Sequence, residues 1–139
     1  MPEVADMTEP TAEVYRAAAE LRTALRTFAR RSEQLAREQG LTPQQYLLLL
    51  LIKGAPNGRE RATVTDLARR LQLGQSTVTE LVQRAEEAGL VQREHDHVDA
   101  RVNWLSLTDD GARRLAVVVG SLGPERRRLV ELLADLDVD

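Results

Sequence analysis

A chain of 139 residues, 42% hydrophobic and 29% charged, has the balance of one soluble domain with a buried core, which excludes a largely disordered chain. Aromatics at 3% favour helices packed through Leu, Val and Ala over a β-sandwich, and zero cysteines exclude disulfides, thiolate metal sites and cysteine redox sensing. A net charge of −3 argues against indiscriminate polyanion binding and leaves room for a local basic face only.

The opening "MPEVADMTEP" is acidic and has no apolar stretch, so residues 1–10 read as a flexible arm and not as a signal peptide. The longest strongly apolar run, "YLLLLLI" at 46–52, is too short to span a bilayer; the expectation is a cytoplasmic protein without a membrane partner. Over residues 11–40, Val14, Ala18, Leu21, Leu25, Phe28, Ser32 and Leu35 recur at alternating steps of four and three. That spacing predicts a long amphipathic helix ended by Gly40. Such a stripe is either ordinary core packing or, in so long a helix, part of a contact with a second subunit.

"LTPQQYLLLLLIKG" opens with Thr42 as cap, Pro43 at the first helical position and Gln45 to complete a capping box. Its leucines fall on every face, which predicts a central, buried helix. After the loop "APNGRER", Thr63 and Asp66 form a second capping box and start a short helix to about Leu71. The link "QLG", containing Gly74, leads to a helix over 75–88 stopped by Gly89, and the pair makes a helix-turn-helix pattern.

From Leu90 to Leu107 the period changes. "LVQRE" and "RVNWLSL" read as two strands around a polar tip at 95–100. Thr108 then caps a helix beginning in "LTDDG", "GP" breaks it, and a last amphipathic helix follows on Leu129, Leu132, Leu133 and Leu136. The expected order is α-α-α-α-β-β-α-α, mainly helical with one small hairpin.

On the 75–88 helix, Val78, Leu81, Val82 and Ala85 form the inner stripe, and projection at about 100° per residue puts Ser76, Thr79, Glu80 and Gln83 opposite, flanked by Thr77 and Arg84. Small hydroxyl and amide groups at a helix N-terminus suit base edges and phosphates, and the unpaired N–H groups there favour an anion. Most polar helix faces are simply solvated, but a hairpin directly after a helix-turn-helix is a wing. Arg101, beside the tip, is then placed for a minor groove, where Arg is favoured by the negative potential of narrow grooves. Thr63, Gln75, Arg93 and Asp99 complete the expected DNA-binding set, with Asp99 orienting Arg101 through a charge-assisted hydrogen bond. Residues 41–108 carry eight basic and eight acidic side chains, so binding must come from placement and be salt-sensitive.

"EHDHVDAR" holds both histidines, His95 and His97, among acids. A catalytic metal needs three fixed ligands with a supporting shell, and a turn five residues long offers little rigid backing. No metal, cofactor or catalytic residue is therefore assigned, and His95 and His97 stand as the metal candidates. With no other histidine, no nucleophile–His arrangement exists elsewhere, and phosphate-loop glycine patterns are absent. An enzyme is not expected.

"TVTDLARRLQLGQSTVTELVQRAEEAGLVQRE", then "DAR" at 99–101, then "LSLTDDG" together resemble the MarR (multiple antibiotic resistance regulator) family of bacterial transcription factors. Asp99, Arg101, Leu107, Thr108 and Gly111 match the family's wing motif, and the likeness covers about residues 40–111. The resemblance implies a winged helix-turn-helix DNA-binding domain at 41–111. A dimerisation helix at 11–40 and C-terminal dimerisation helices at 112–139 would flank it. It also implies a homodimer on a pseudo-palindromic operator in double-stranded DNA, with recognition helices roughly 34 Å apart. Family members are usually repressors, and many release DNA on binding a phenolic or other lipophilic small molecule; some bind none. Gly74 stands where many members place a polar cap, so capping is expected from Ser76, and the missing cysteines exclude the thiol-sensing branch. A winged-helix module that binds another protein is the alternative, motivated by the neutral middle segment.

Overall fold

The computed structural model describes residues 8–136. Its elements are α1 (Ala12–Glu38), α2 (Pro43–Lys53), α3 (Val64–Leu71), α4 (Gln75–Glu87), β1 (Val91–His95), β2 (Asn103–Leu107), α5 (Asp109–Ser121) and α6 (Gly123–Asp135). This is the order expected from the sequence. Most of the expected N-terminal arm, residues 1–7, and the last three residues of the C-terminal segment lie outside the described residues.

The described residues divide into two compact units, one of residues 32–121 and one of residues 8–31 with 122–136. In the larger unit, local chemistry sets the helix boundaries. Thr42 caps α2 and Gln45 closes the box, with N···O distances of 3.0 Å in both directions. Thr63 and Asp66 do the same for α3 at 3.1 and 3.4 Å. Gly89 at φ +75° ends α4 as its left-handed stop. The core gathers Leu48, Leu49 and Ile52 of α2, Leu67 of α3, Val78 and Val82 of α4, Leu105 of β2 and Val118 of α5, all with no exposed surface.

Two expectations need correction, on the burial of α2 and the capping of α4, and two local features add to the expected pattern. α2 is not buried all round: Leu47 is 46% exposed, because an eleven-residue helix against one core can cover only part of its circumference. The αα turn takes its left-handed residue at Gln72 (φ 59°), while Gly74 at φ −68° is an ordinary N-cap. No side chain caps α4, so Ser76 does not take that role; the Thr79 hydroxyl instead donates back to Gln75 O at 2.8 Å. The hairpin also has a third participant. Ala62 pairs with Leu105 through both main-chain hydrogen bonds, 3.0 and 2.8 Å, stitching the segment before α3 to β2.

In the smaller unit, Leu122 and Leu132 are buried, whereas Tyr15, Leu25, Val130 and Leu133 are exposed. The stripe along α1 is buried at Ser32 and Leu35, half-buried at Val14, Leu21 and Phe28 and exposed at Ala18 and Leu25.

Candidate nucleic-acid interface

α4 is amphipathic in the sense expected. Val78, Val82 and Ala85 are fully buried and Leu81 half-buried, while Gln75, Ser76, Thr77, Thr79, Glu80, Gln83 and Arg84 are exposed. The exposed residues make one outward face of hydroxyl, amide and guanidinium groups with one carboxylate, Glu80, and Gln75, Ser76 and Thr77 fall in the first turn, where backbone N–H groups lack helical partners. Two members also touch the protein. Gln75 Nε2 donates to Thr65 Oγ1 at 3.2 Å, linking the start of α4 to α3, and Arg84 lies 4.0 Å from Glu80 with both side chains well exposed. A pair that open and long is readily exchanged for a phosphate.

β1 and β2 pair antiparallel from Val91↔Leu107 to His95↔Asn103. The tip beyond them is ordered by carboxylates. Asp96 accepts from the amides of Val98 (3.0 Å) and Asp99 (2.9 Å) and from Trp104 Nε1 (2.9 Å). The indole hydrogen bond first, then the two amides, hold the Asp96 carboxyl down at about 2. Asp99 accepts from Arg101 Nε and main-chain N, both at 3.0 Å, and from the second guanidinium nitrogen at 3.2 Å, which lowers its carboxyl below the usual range. The expected Asp99–Arg101 hydrogen bond is therefore present, and Arg101 keeps 90% of its side chain exposed.

Two expected contact residues are engaged inside the protein. The Arg93 guanidinium is bound at two points by Glu86 of α4, at 2.9 and 3.1 Å. That pairing lowers Glu86 and raises Arg93 and spends Arg93 on joining β1 to α4. Thr63 spends its hydroxyl oxygen on the α3 cap. His95 ends β1 with Nδ1 3.2 Å from Ala100 O, and His97 lies past the strand, so strand alternation does not extend over the pair. Among the described residues no three His, Asp or Glu side chains gather as a metal site.

The sequence reading missed Arg61, whose guanidinium carbon lies 4.3 Å from the centre of the Trp104 ring. Nothing in the local pattern of "GRERAT" marks it, since the contact spans 43 positions.

Residues 39–102 match the model of the MarR family. The HTH-type transcriptional repressor MdtR of Bacillus subtilis is 38% identical over 74 residues, 53% of this chain and 45% of that protein. Across the curated relatives the chain spans 41–61% of their own length. AbsC, a MarR family transcriptional regulator from Streptomyces coelicolor, superposes with TM-score 0.67 at 24% identity over 94% of this chain and 91% of its own. An S. aureus MepR mutant bound to an oligodeoxyribonucleotide superposes with TM-score 0.66 at 21% identity over 82% and 81%. No helix among the described residues is long and apolar enough to cross a membrane. In its helix-turn-helix, its wing and its residues 39–102, this chain is similar to regulators of the MarR family and shares their fold.

Proposed function

We propose that the chain is a sequence-specific DNA-binding transcriptional regulator that acts as a homodimer on double-stranded DNA. The observation that carries this reading is the exposed polar row of α4 followed in the chain by an ordered wing with an exposed arginine. Ser76, Thr77, Thr79, Gln83 and Arg84 would read a major groove, and Arg101 the adjacent minor groove. The MepR neighbour, bound to an oligodeoxyribonucleotide, supports DNA as the partner. The name of MdtR supports repression as the outcome. Dimerisation is supported by the apolar side chains left uncovered on α1 and α6, namely Tyr15, Leu25, Val130 and Leu133, which a second copy would bury. A dimer implies a pseudo-palindromic operator with half-sites about 34 Å apart. Release by a phenolic or lipophilic small molecule, and residence in the cytoplasm, rest on the likeness to the MarR family.

Selection of genomic fragments at low salt tests the reading, with an Arg84→Ala/Arg101→Ala variant as comparison. The wild type should retain a discrete site, and the variant should lose it while staying a folded dimer. Recovery of no fragment by the wild type would move the protein-binding reading ahead, which the zero net charge of residues 41–108 favours. Titrating the complex with aromatic acids tests release.

A further inference from the structure

Arg61 stands immediately before Ala62, which pairs with Leu105 of β2; both of these face the core, so alternation puts the Arg61 side chain on the opposite face of the wing, the face that carries Trp104. Its guanidinium stacks 4.3 Å from the Trp104 ring centre. At the edge of the same indole, Nε1–H donates to Asp96 at 2.9 Å. A carboxylate at the N–H pushes electron density into the ring, which strengthens its attraction for a cation on the face. The indole thus sits between an anion at its edge and a cation on its face, each reinforcing the other.

The other oxygen of Asp96 holds the amides of Val98 and Asp99 at 3.0 and 2.9 Å. Asp99 in turn holds Arg101 by main chain and side chain at 3.0 Å. The contacts therefore run without a gap from the segment preceding α3 to the exposed arginine. Beyond these, the tip has one further side-chain contact, His95 Nδ1 3.2 Å from Ala100 O, and little else fixes it. Val98 is 95% exposed and Arg101 90%, and the two main-chain bonds there, Asp96 N to Val102 O and Val102 N to Asp99 O, lie within the turn itself. A two-stranded ribbon with a tip of this kind is otherwise free to bend.

We propose that Arg61, Trp104 and Asp96 form a brace of positioning residues that holds Arg101 in place for DNA, with Arg61 acting through the wing and making no contact with DNA itself. The function of the brace rests on the DNA-binding reading above; its mechanical part does not.

The test is a double-mutant cycle. Operator affinity is measured for Arg61→Ala and Arg61→Lys, each alone and with Arg101→Ala, on the fragment recovered by selection. A cation–aromatic contact of this kind corresponds to about three- to tenfold in affinity, so Arg61→Ala should weaken binding by about that factor. The loss should vanish in the Arg101→Ala background, and Arg61→Lys, which keeps a cation over the ring, should recover most of it. An equal loss in both backgrounds would mean that Arg61 touches DNA or only supports the fold, and would overturn the proposal. Amide exchange in the free protein gives an arm that needs no DNA. Val98 and Asp99 should exchange several-fold faster in Arg61→Ala and Asp96→Ala, while α4 amides keep their rates. Unchanged exchange at the tip in Arg61→Ala would also overturn the brace. If the wild type recovers no DNA, the functional reading fails and the exchange arm still decides the brace.

Discussion

Gly111→Ala is the substitution whose cost the structure defines most sharply. Gly111 is buried in the first turn of α5. A Cβ built on it would fall well inside van der Waals distance of the Leu90 carbonyl oxygen, 3.1 Å from the Leu90 carbonyl carbon and 3.2 Å from its Cα. The obstacle is backbone, and it is pinned from several directions. Leu90 O accepts from Thr108 N at 3.0 Å, the Thr108 hydroxyl donates to Gly89 O at 2.6 Å, and that hydroxyl oxygen accepts from Gly111 N at 3.0 Å. Relief requires moving α5 away from the end of α4 and stretching one of these bonds. Overpacking of this severity costs about 3 kcal/mol and a weakened hydrogen bond about 1 kcal/mol more. Replacing Gly by Ala within a helix returns about 1 kcal/mol. The net loss of about 3 kcal/mol corresponds to a fall in Tm of about 10 °C for a domain of this size. Thermal and urea unfolding at one fixed protein concentration measure it, the concentration being held because assembly shifts apparent stability. Gly74→Ser is the control, since nothing lies within 4 Å of a Cβ there and the site is an uncapped N-cap. It should be neutral or slightly stabilising, by a few tenths of a kcal/mol. A Gly111→Ala protein melting within about 2 °C of wild type would refute the reasoning, because it would show that the α4–α5 junction yields without loss.

Arg101→Ala should make the plot of log affinity against log salt less steep by about 0.9, one counterion fewer, in operator titrations between low and moderate salt; an unchanged slope would remove Arg101 from the interface. Arg93→Ala should weaken operator binding less than Arg84→Ala does, since Glu86 already holds the Arg93 guanidinium. Its stability cost, read by urea unfolding, should stay below about 1 kcal/mol for a pair this exposed. Trp104 is the sole tryptophan and reports Asp96 directly. The folded carboxyl of Asp96 lies at about 2, below its ordinary value, so its bonds are complete above about pH 4 and are lost as pH falls towards about 2. Trp104 emission should hold steady from neutral pH to about 4 and shift below it, and Asp96→Ala should abolish that shift.

Much of this protein is decided within a few residues of chain. Thr42 with Gln45 and Thr63 with Asp66 start their helices because an N-cap is satisfied by a side chain three positions away, so the sequence alone contains both partners. Gly89 ends α4 for an equally local reason, the left-handed conformation of one residue. The alternation of "LVQRE" and "RVNWLSL", and the amphipathic period of α4, likewise determine the hairpin and the outward row of hydroxyl, amide and guanidinium groups. Even Asp99 and Arg101, two positions apart, pair as the sequence indicates. Other features depend on which distant segments meet. Leu47 is exposed because its helix has more apolar faces than the core has surface to cover. Arg93, on a strand, is captured by Glu86 across the α4–β1 corner, a contact that no helical or strand period contains. Ala62 joins β2 from 43 positions away, and that pairing alone carries Arg61 onto Trp104. "EHDHVDAR", which read as a candidate ligand cluster, is organised instead by Asp96 turning towards an indole eight residues on. Capping, turns and periodicity are short-range and therefore written in the chain; a guanidinium's choice among several carboxylates and one aromatic ring is made only when packing brings them together.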